Sequence, residues 1–199
     1  MKRAFDATLA FAGLVVSLPL WALFAGAITL EDGGPVFFVQ DRVGLDGRLF
    51  RAFKFRSMHH GAENATGPLQ ARRGDSRITR VGRIMRATAM DELPQLWNIF
   101  RGDMSFVGPR ALRPGEIEME GGTPVPLEAV PGYVDRILAR PGLTGVAQVY
   151  APRDISRRCK FRYDRLYIRR RSFALDIRLI LLSFWISFRG TWESRDRKY

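Results

Sequence analysis

The stretch 87–110, ATAMDELPQLWNIFRGDMSFVGPR, sets the problem. Two carboxylates, Asp91 and Glu92, stand side by side among apolar residues in a chain of formal net charge +12. Pro94 is tolerated only in the first turn of a helix, so the sequence predicts a helix beginning near Asp91 and running to Phe100. A helix start offers free N–H groups and the positive end of the dipole, which keeps a carboxylate ionised and favours a bound phosphate. Gly102-Asp103 reads as a turn, Met104 to Val107 as a short strand, and Gly108-Pro109 as a second turn that presents Arg110. An acidic pair alone is ordinarily a solvated helix start, and the rest of the chain has to raise it above that.

Before this stretch, PVFFVQDRVGLDGRLFRAFKFRSM (35–58) reads as a β-hairpin with Asp46-Gly47 as the positive-φ turn. Alternation on its second strand puts Phe53 and Phe55 on one face, with Lys54 and Arg56 on the other as a phosphate-compatible pair or a solvated face. Residues His59 to Asp75 look like a mobile loop, and SRITRVGRIMR (76–86) a basic helix carrying Arg77, Arg80, Arg83 and Arg86. After it, Ala111 to Val130 reads as a second long loop and PGYVDRILA (131–139) as a short helix. RPGLTGVAQV (140–149) is a turn-rich segment whose backbone is free to approach a ligand. The chain closes with a basic helix (156–172) and an apolar one, FALDIRLILLSFWISF (173–188), which is core or interfacial. The arginines before it favour a helix lying in a membrane surface.

Composition narrows the chemistry. A chain of 199 residues, 46% hydrophobic, forms one domain or one domain plus an anchor. Cys159 is the single cysteine, so no internal disulfide forms, and it reads as filler rather than a nucleophile. The two histidines, His59 and His60, are adjacent, which rules out a Cys/His zinc cluster. A metal here would be hard and oxygen-bound, such as Mg²⁺. From Arg153 to Tyr199 there are 14 lysines and arginines against 5 acidic residues. Such a block implies an anionic partner: nucleic acid, a phosphorylated substrate or an anionic membrane lipid.

Residues Ala7 to Leu30 carry no charge, and a membrane span needs about 20 such residues. Three readings compete: a cleaved signal peptide, a transmembrane helix, and a helix broken at Pro19 that enters and leaves on the same side. Ser17 can bond a carbonyl freed by Pro19. Lys2 and Arg3 at one end are matched by Arg42 and Arg48 beyond the other, and equal flanks suit two ends in one compartment.

Taken together, KRAFD, the proline-interrupted apolar segment, VFFVQDRVG, FKFRSM, DELPQLWN, RGDMSFVGPR, RPGLTGVAQV and SFALDIRLI resemble the monotopic bacterial sugar transferases, the polyprenyl-phosphate phosphoglycosyltransferases, in their short form. The resemblance covers nearly the whole chain, and it rests on several motifs in order at family-like spacing. The chain departs from the family pattern at Leu18, which separates Ser17 from Pro19, at Ala111 in place of a second proline, and at YAPRD after AQV. The last leaves the sugar open.

The resemblance implies an α+β fold: a mostly helical cytoplasmic domain with a small β-hairpin, an N-terminal re-entrant helix and C-terminal interfacial amphipathic helices. Residues 1–32 would be the anchor and 33–199 the catalytic domain. It further implies transfer of a phosphosugar from a nucleotide sugar, a UDP-sugar, to polyprenyl (undecaprenyl) phosphate, as the first membrane step of glycoconjugate assembly. Asp91 would be the nucleophile, Glu92 the Mg²⁺ ligand, and Arg110 a phosphate clamp, with Lys54, Arg56, Arg86 and Arg140 as further substrate-binding residues. Asp103 reads as a turn residue. The site would lie at the cytoplasmic face of the bacterial inner membrane; a homo-oligomer stays open. Two other classes fit parts of the sequence. A membrane-tethered nucleic-acid binder suits the charge but has no helix-turn-helix or RNA-binding motif, so no nucleic acid is expected as a partner. A secreted binding module would follow from signal cleavage.

Overall fold

A computed structural model describes residues 1–62, 74–120, 123–152 and 155–192. In chain order the elements are α1 (Lys2–Asp32), β1 (Phe37–Val43), β2 (Leu49–Phe55), α2 (Arg80–Ala87), α3 (Gln95–Arg101), β3 (Ser105–Val107), β4 (Ile117–Glu120), β5 (Thr123–Pro126), α4 (Tyr133–Ile137), β6 (Gly142–Thr144), α5 (Val146–Tyr150), α6 (Arg157–Arg170) and α7 (Phe173–Phe188). The fold is mixed, with helix predominating. Most of the expected mobile loop, residues 63–73, and Arg153-Asp154 of the YAPRD segment lie outside the described residues.

Helix α1 is one run of 31 residues with Pro19 inside it, so the expected break is absent. Proline removes a single backbone donor, the one that would bond Val15 O, and the Ser17 hydroxyl does not take its place. Ser17 Oγ donates to Leu14 O (3.2 Å) and accepts from Trp21 Nε1 (3.0 Å). Asp6, Ala10, Ser17 and Ile28 recur at helical spacing and form one buried stripe from end to end. Phe11, Val15, Val16, Leu18 and Leu23 are exposed. The helix is long and apolar enough to cross a membrane.

Both ends of α1 are tied to the same body. Lys2 pairs with Asp176 of α7, and Arg3 donates to the carbonyls of Ile99 and Phe100 at the end of α3. Asp6 accepts from Ser105 Oγ (2.8 Å) and from the N–H of Phe106 (3.3 Å). At the other end the two Glu31 oxygens accept the N–H groups of Arg80 (2.6 Å) and Val81 (2.9 Å), capping α2. The KRAFD segment is therefore a docking motif: Lys2, Arg3 and the buried Asp6 all bond the body of the protein.

The hairpin forms as its alternation predicts, with Phe55 paired to Phe37 and Lys54 to Phe38. Asp46 (φ 54°) and Gly47 (φ 75°) make its turn. Phe55 packs with Ile28 of α1 and Met85 of α2, while Ala10, Leu96, Ile99, Met104, Phe106, Val107 and Leu179 form the main core. Two sequence expectations fail here. The loop 111–130 contains the antiparallel pair β4–β5, unforeseen because Pro124 and Pro126 argue against a strand. RPGLTG is not a free backbone: β6 pairs in parallel with β3. A Cβ on Gly142 would stand 2.0 Å from the nitrogen of Gly108, and one on Gly145 2.3 Å from its carbonyl oxygen. These glycines let two backbones of the protein meet, and that packing supports the turn bearing Arg110.

Candidate functional site

Asp91 and Glu92 lie on a 3₁₀ turn, Met90–Glu92, rather than in α3 itself. Ala89 enters that turn at φ 57°, a left-handed conformation that costs a non-glycine residue roughly 1–2 kcal/mol. The chain reverses there, and the pair points inward: Asp91 is 7% exposed and Glu92 6%. Both line a cleft of about 630 Å³.

Buried carboxylates need compensation. Lys54 from β2 forms an ion pair with Glu92 Oε1, and Arg110 Nη2 reaches the same oxygen at 3.2 Å. Burial pushes Glu92 up, but Lys54 and Arg110 override it and hold the carboxyl at about 2. Lys54 is pushed down by burial against the pull of Glu92, whereas Glu92 raises Arg110. The ionised state of Glu92 thus comes from two cations and not, as the sequence suggested, from a helix start.

Five of the sequence-chosen residues meet at this cleft: Lys54, Arg86, Asp91, Glu92 and Arg110. Two are not in its wall. Arg56, just past the end of β2, is buried and turns to Asp32 at the end of α1 (3.3 Å), outside the wall that holds Lys54. Arg140 is exposed, and its Nε donates to Gly102 O (3.1 Å). Ser17 and Pro19 remain on α1.

The cleft also holds residues to which the sequence gave no role. Arg42 of β1 donates to Ala111 O (3.2 Å) and to Gln40 Oε1 (2.7 Å). Burial, then repulsion by Arg110 and Arg113, pushes it down to about 10. Arg136 and Asp164 form a buried ion pair at 3.2 Å in the same wall. Arg42 lies in the recognisable VFFVQDRVG segment, but nothing in a local pattern signals that Arg136 and Asp164, on different helices, will meet.

A cleft rich in cations around a buried acidic pair, on a body whose first helix exposes an apolar face, is suited to phosphorylated substrates near a membrane. The chain belongs to the bacterial sugar transferase family, which it matches over residues 1–190. It is similar to the undecaprenyl-phosphate glucose phosphotransferase of Komagataeibacter xylinus, 42% identical over 189 residues, which are 92% of this chain and 35% of that protein. The UDP-glucose:undecaprenyl-phosphate glucose-1-phosphate transferase of Caulobacter vibrioides is 41% identical over 90% of this chain and 67% of its own length. The exopolysaccharide production protein PSS of Rhizobium leguminosarum bv. phaseoli is 38% identical, with 90% of this chain and 91% of that protein covered. The chain therefore spans between about a third and nearly all of these relatives.

Proposed function

We propose that the chain transfers a sugar 1-phosphate from a UDP-sugar, UDP-glucose first among them, to undecaprenyl phosphate, releasing UMP, as the first membrane step in building an exopolysaccharide or related glycoconjugate. The names of two relatives support the substrate class, and that of a third supports an exopolysaccharide product. The observation that carries the reading is the buried Asp91–Glu92 pair, with Glu92 neutralised by Lys54 and Arg110, at the wall of the cleft.

The reaction exchanges one phosphoanhydride for another, and its barrier is the approach of anions. An Asp91 oxygen attacks the phosphorus next to the sugar, the bond from that phosphorus to the bridging oxygen breaks, and UMP leaves with the electron pair. An oxygen of undecaprenyl phosphate then attacks the same phosphorus, and the aspartyl P–O bond breaks to regenerate the carboxylate. Arg110, its side chain 47% exposed, can turn its fork from Glu92 to a phosphate.

Mg²⁺ fits the donor set in one way. Among the described residues no three acidic, His or Cys side chains cluster, but Mg²⁺ commonly takes one or two carboxylates and completes its shell with phosphate and water. Both cations bond Glu92 at Oε1, which leaves Oε2 for the ion. When bound, Mg²⁺ would neutralise charge on the diphosphate.

The anchor serves the same chemistry. Helix α1 runs unbroken along the body with both ends docked to it, which supports a placement in which its exposed apolar face rests in the cytoplasmic leaflet of the inner membrane and both ends stay on the cytoplasmic side. Together with the exposed Phe184, Trp185 and Phe188 of α7 and the exposed Arg162, Arg169, Arg170 and Arg171, it seats the protein on anionic lipid. The test is UMP release from a panel of UDP-sugars with undecaprenyl phosphate and Mg²⁺. Wild type should turn over at least one, and Asp91→Asn none at any Mg²⁺ concentration; near-normal release by Asp91→Asn ends the assignment.

A further inference from the structure

The turn that carries Arg110 is held carbonyl by carbonyl. Leu112 O accepts the N–H of Val43 (2.9 Å), Ala111 O accepts Arg42 Nη1 (3.2 Å), and Arg110 O accepts Arg136 Nη2 (2.6 Å). The last contact differs from the others. Arg136, on α4, is only 6% exposed, yet it is used to hold one backbone oxygen. Its Nε donates to Asp164 Oδ2 of α6 (3.2 Å), and its guanidinium lies over the Phe161 ring, 4.6 Å from the centroid. Asp164 is itself 4% exposed. Burying such a pair takes two charges out of water, a cost that a packed apolar pair would avoid. The transfer steps given above assign neither charge a role.

We propose that Arg136 is a positioning residue for Arg110: anchored by Asp164 and Phe161, it fixes the Arg110 carbonyl and so the direction from which the Arg110 guanidinium reaches Glu92 and the transferring phosphate. The proposal rests on the phosphosugar-transfer reading above. A guanidinium presents its donors as a rigid fork, so its value depends on where its backbone is held. A lysine ammonium is a point charge on a flexible stem and depends on it much less. A contact chain thus runs from α6 through Asp164, Arg136 and the Arg110 backbone to Glu92.

That difference supplies the test. Four full-length proteins in detergent or nanodiscs are compared by kcat/KM for UMP release: wild type, Arg136→Met, Arg110→Lys and the double variant. Misplacement of a group at a reacting centre by about 1 Å can cost up to about 100-fold, so Arg136→Met should lose about 10- to 100-fold in the wild-type background. In the Arg110→Lys background the same change should lose less than about threefold. Arg136→Lys covers the case in which Arg136→Met does not fold. It keeps a positive charge beside Asp164 but cannot place donors at both the Nε and Nη2 positions, and it should show the same dependence on the background. An equal loss in both backgrounds overturns the proposal, since it means that Arg136 touches substrate directly or supports the fold generally; so does wild-type kcat/KM in either Arg136 variant. If wild type releases no UMP from any UDP-sugar, the failure belongs to the functional reading instead.

Discussion

Replacing Lys54 by methionine removes one of the two cations on a buried carboxylate and keeps most of the side-chain volume. A Glu92 carboxyl held at about 2 instead of its ordinary 4.5 has its ionised form stabilised by about 3 kcal/mol, at about 1.4 kcal/mol per pH unit. That contribution is fully present above pH 4.5 and is lost as the pH falls through about 2. Breaking a buried pair from one side costs about 3–5 kcal/mol, and Arg110, 3.2 Å away, retains part of the compensation. Lys54→Met should therefore cost about 2–3 kcal/mol at pH 7, a fall of roughly 4–12 °C in melting temperature for a chain of this size. Circular dichroism of the detergent-solubilised protein reads this directly. The decisive comparison is the double variant Lys54→Met/Glu92→Gln, in which the Glu92 charge is no longer stranded. It should be more stable than Lys54→Met by about 1–2 kcal/mol, because the two substitutions share one interaction. A double variant that loses the sum of the two single losses would refute the reasoning and leave Glu92 held by something other than Lys54.

Isotope exchange between UMP and the UDP-sugar should proceed without undecaprenyl phosphate if the aspartyl intermediate forms; no exchange, with intersecting double-reciprocal plots, would point to direct transfer with Asp91 as base. Glu31→Ala should lower stability by about 1 kcal/mol through the lost cap on α2, seen as a small fall in melting temperature, and an unchanged melting temperature would count against the cap. A cysteine at Ala4 in a Cys159→Ser background should resist an impermeant maleimide in intact cells, and labelling from outside would show that α1 crosses the membrane.

What was legible in the sequence was mostly local. Alternation and an Asp-Gly turn located the hairpin, and apolar periodicity located α7 over its whole length, Phe173–Phe188. The acidic pair, Lys54, Arg86 and Arg110 were chosen as site residues and do share one cleft. Apart from the β4–β5 pair, which its prolines disguise locally, the failures depend on partners far away in the chain. Three-residue strands such as β3 and β6 have no periodicity of their own and exist because Gly108 and Gly142 let their backbones touch. Arg56 looked like a companion of Lys54 because strand alternation relates them, yet an acid at the end of α1 draws it elsewhere. Glu92 owes its charge state to residues 38 and 18 positions away in sequence, whereas a helix-start argument sees only immediate neighbours.

The stripe of Asp6, Ala10, Ser17 and Ile28 along α1 bears on how this protein can be handled. A cut at Gly33 would appear to free a water-soluble enzyme from a greasy leader. It would instead strip Ala10 and Ile28 from two core clusters, uncap α2 where Glu31 meets it, and leave Ser105 and the N–H of Phe106 without the Asp6 carboxylate. The truncated chain would bare apolar surface on the side that had faced α1 and would aggregate for want of a core rather than for want of a membrane. The exposed apolar segment is thus an internal beam of the body that carries the cleft, and removing it takes away core as well as surface.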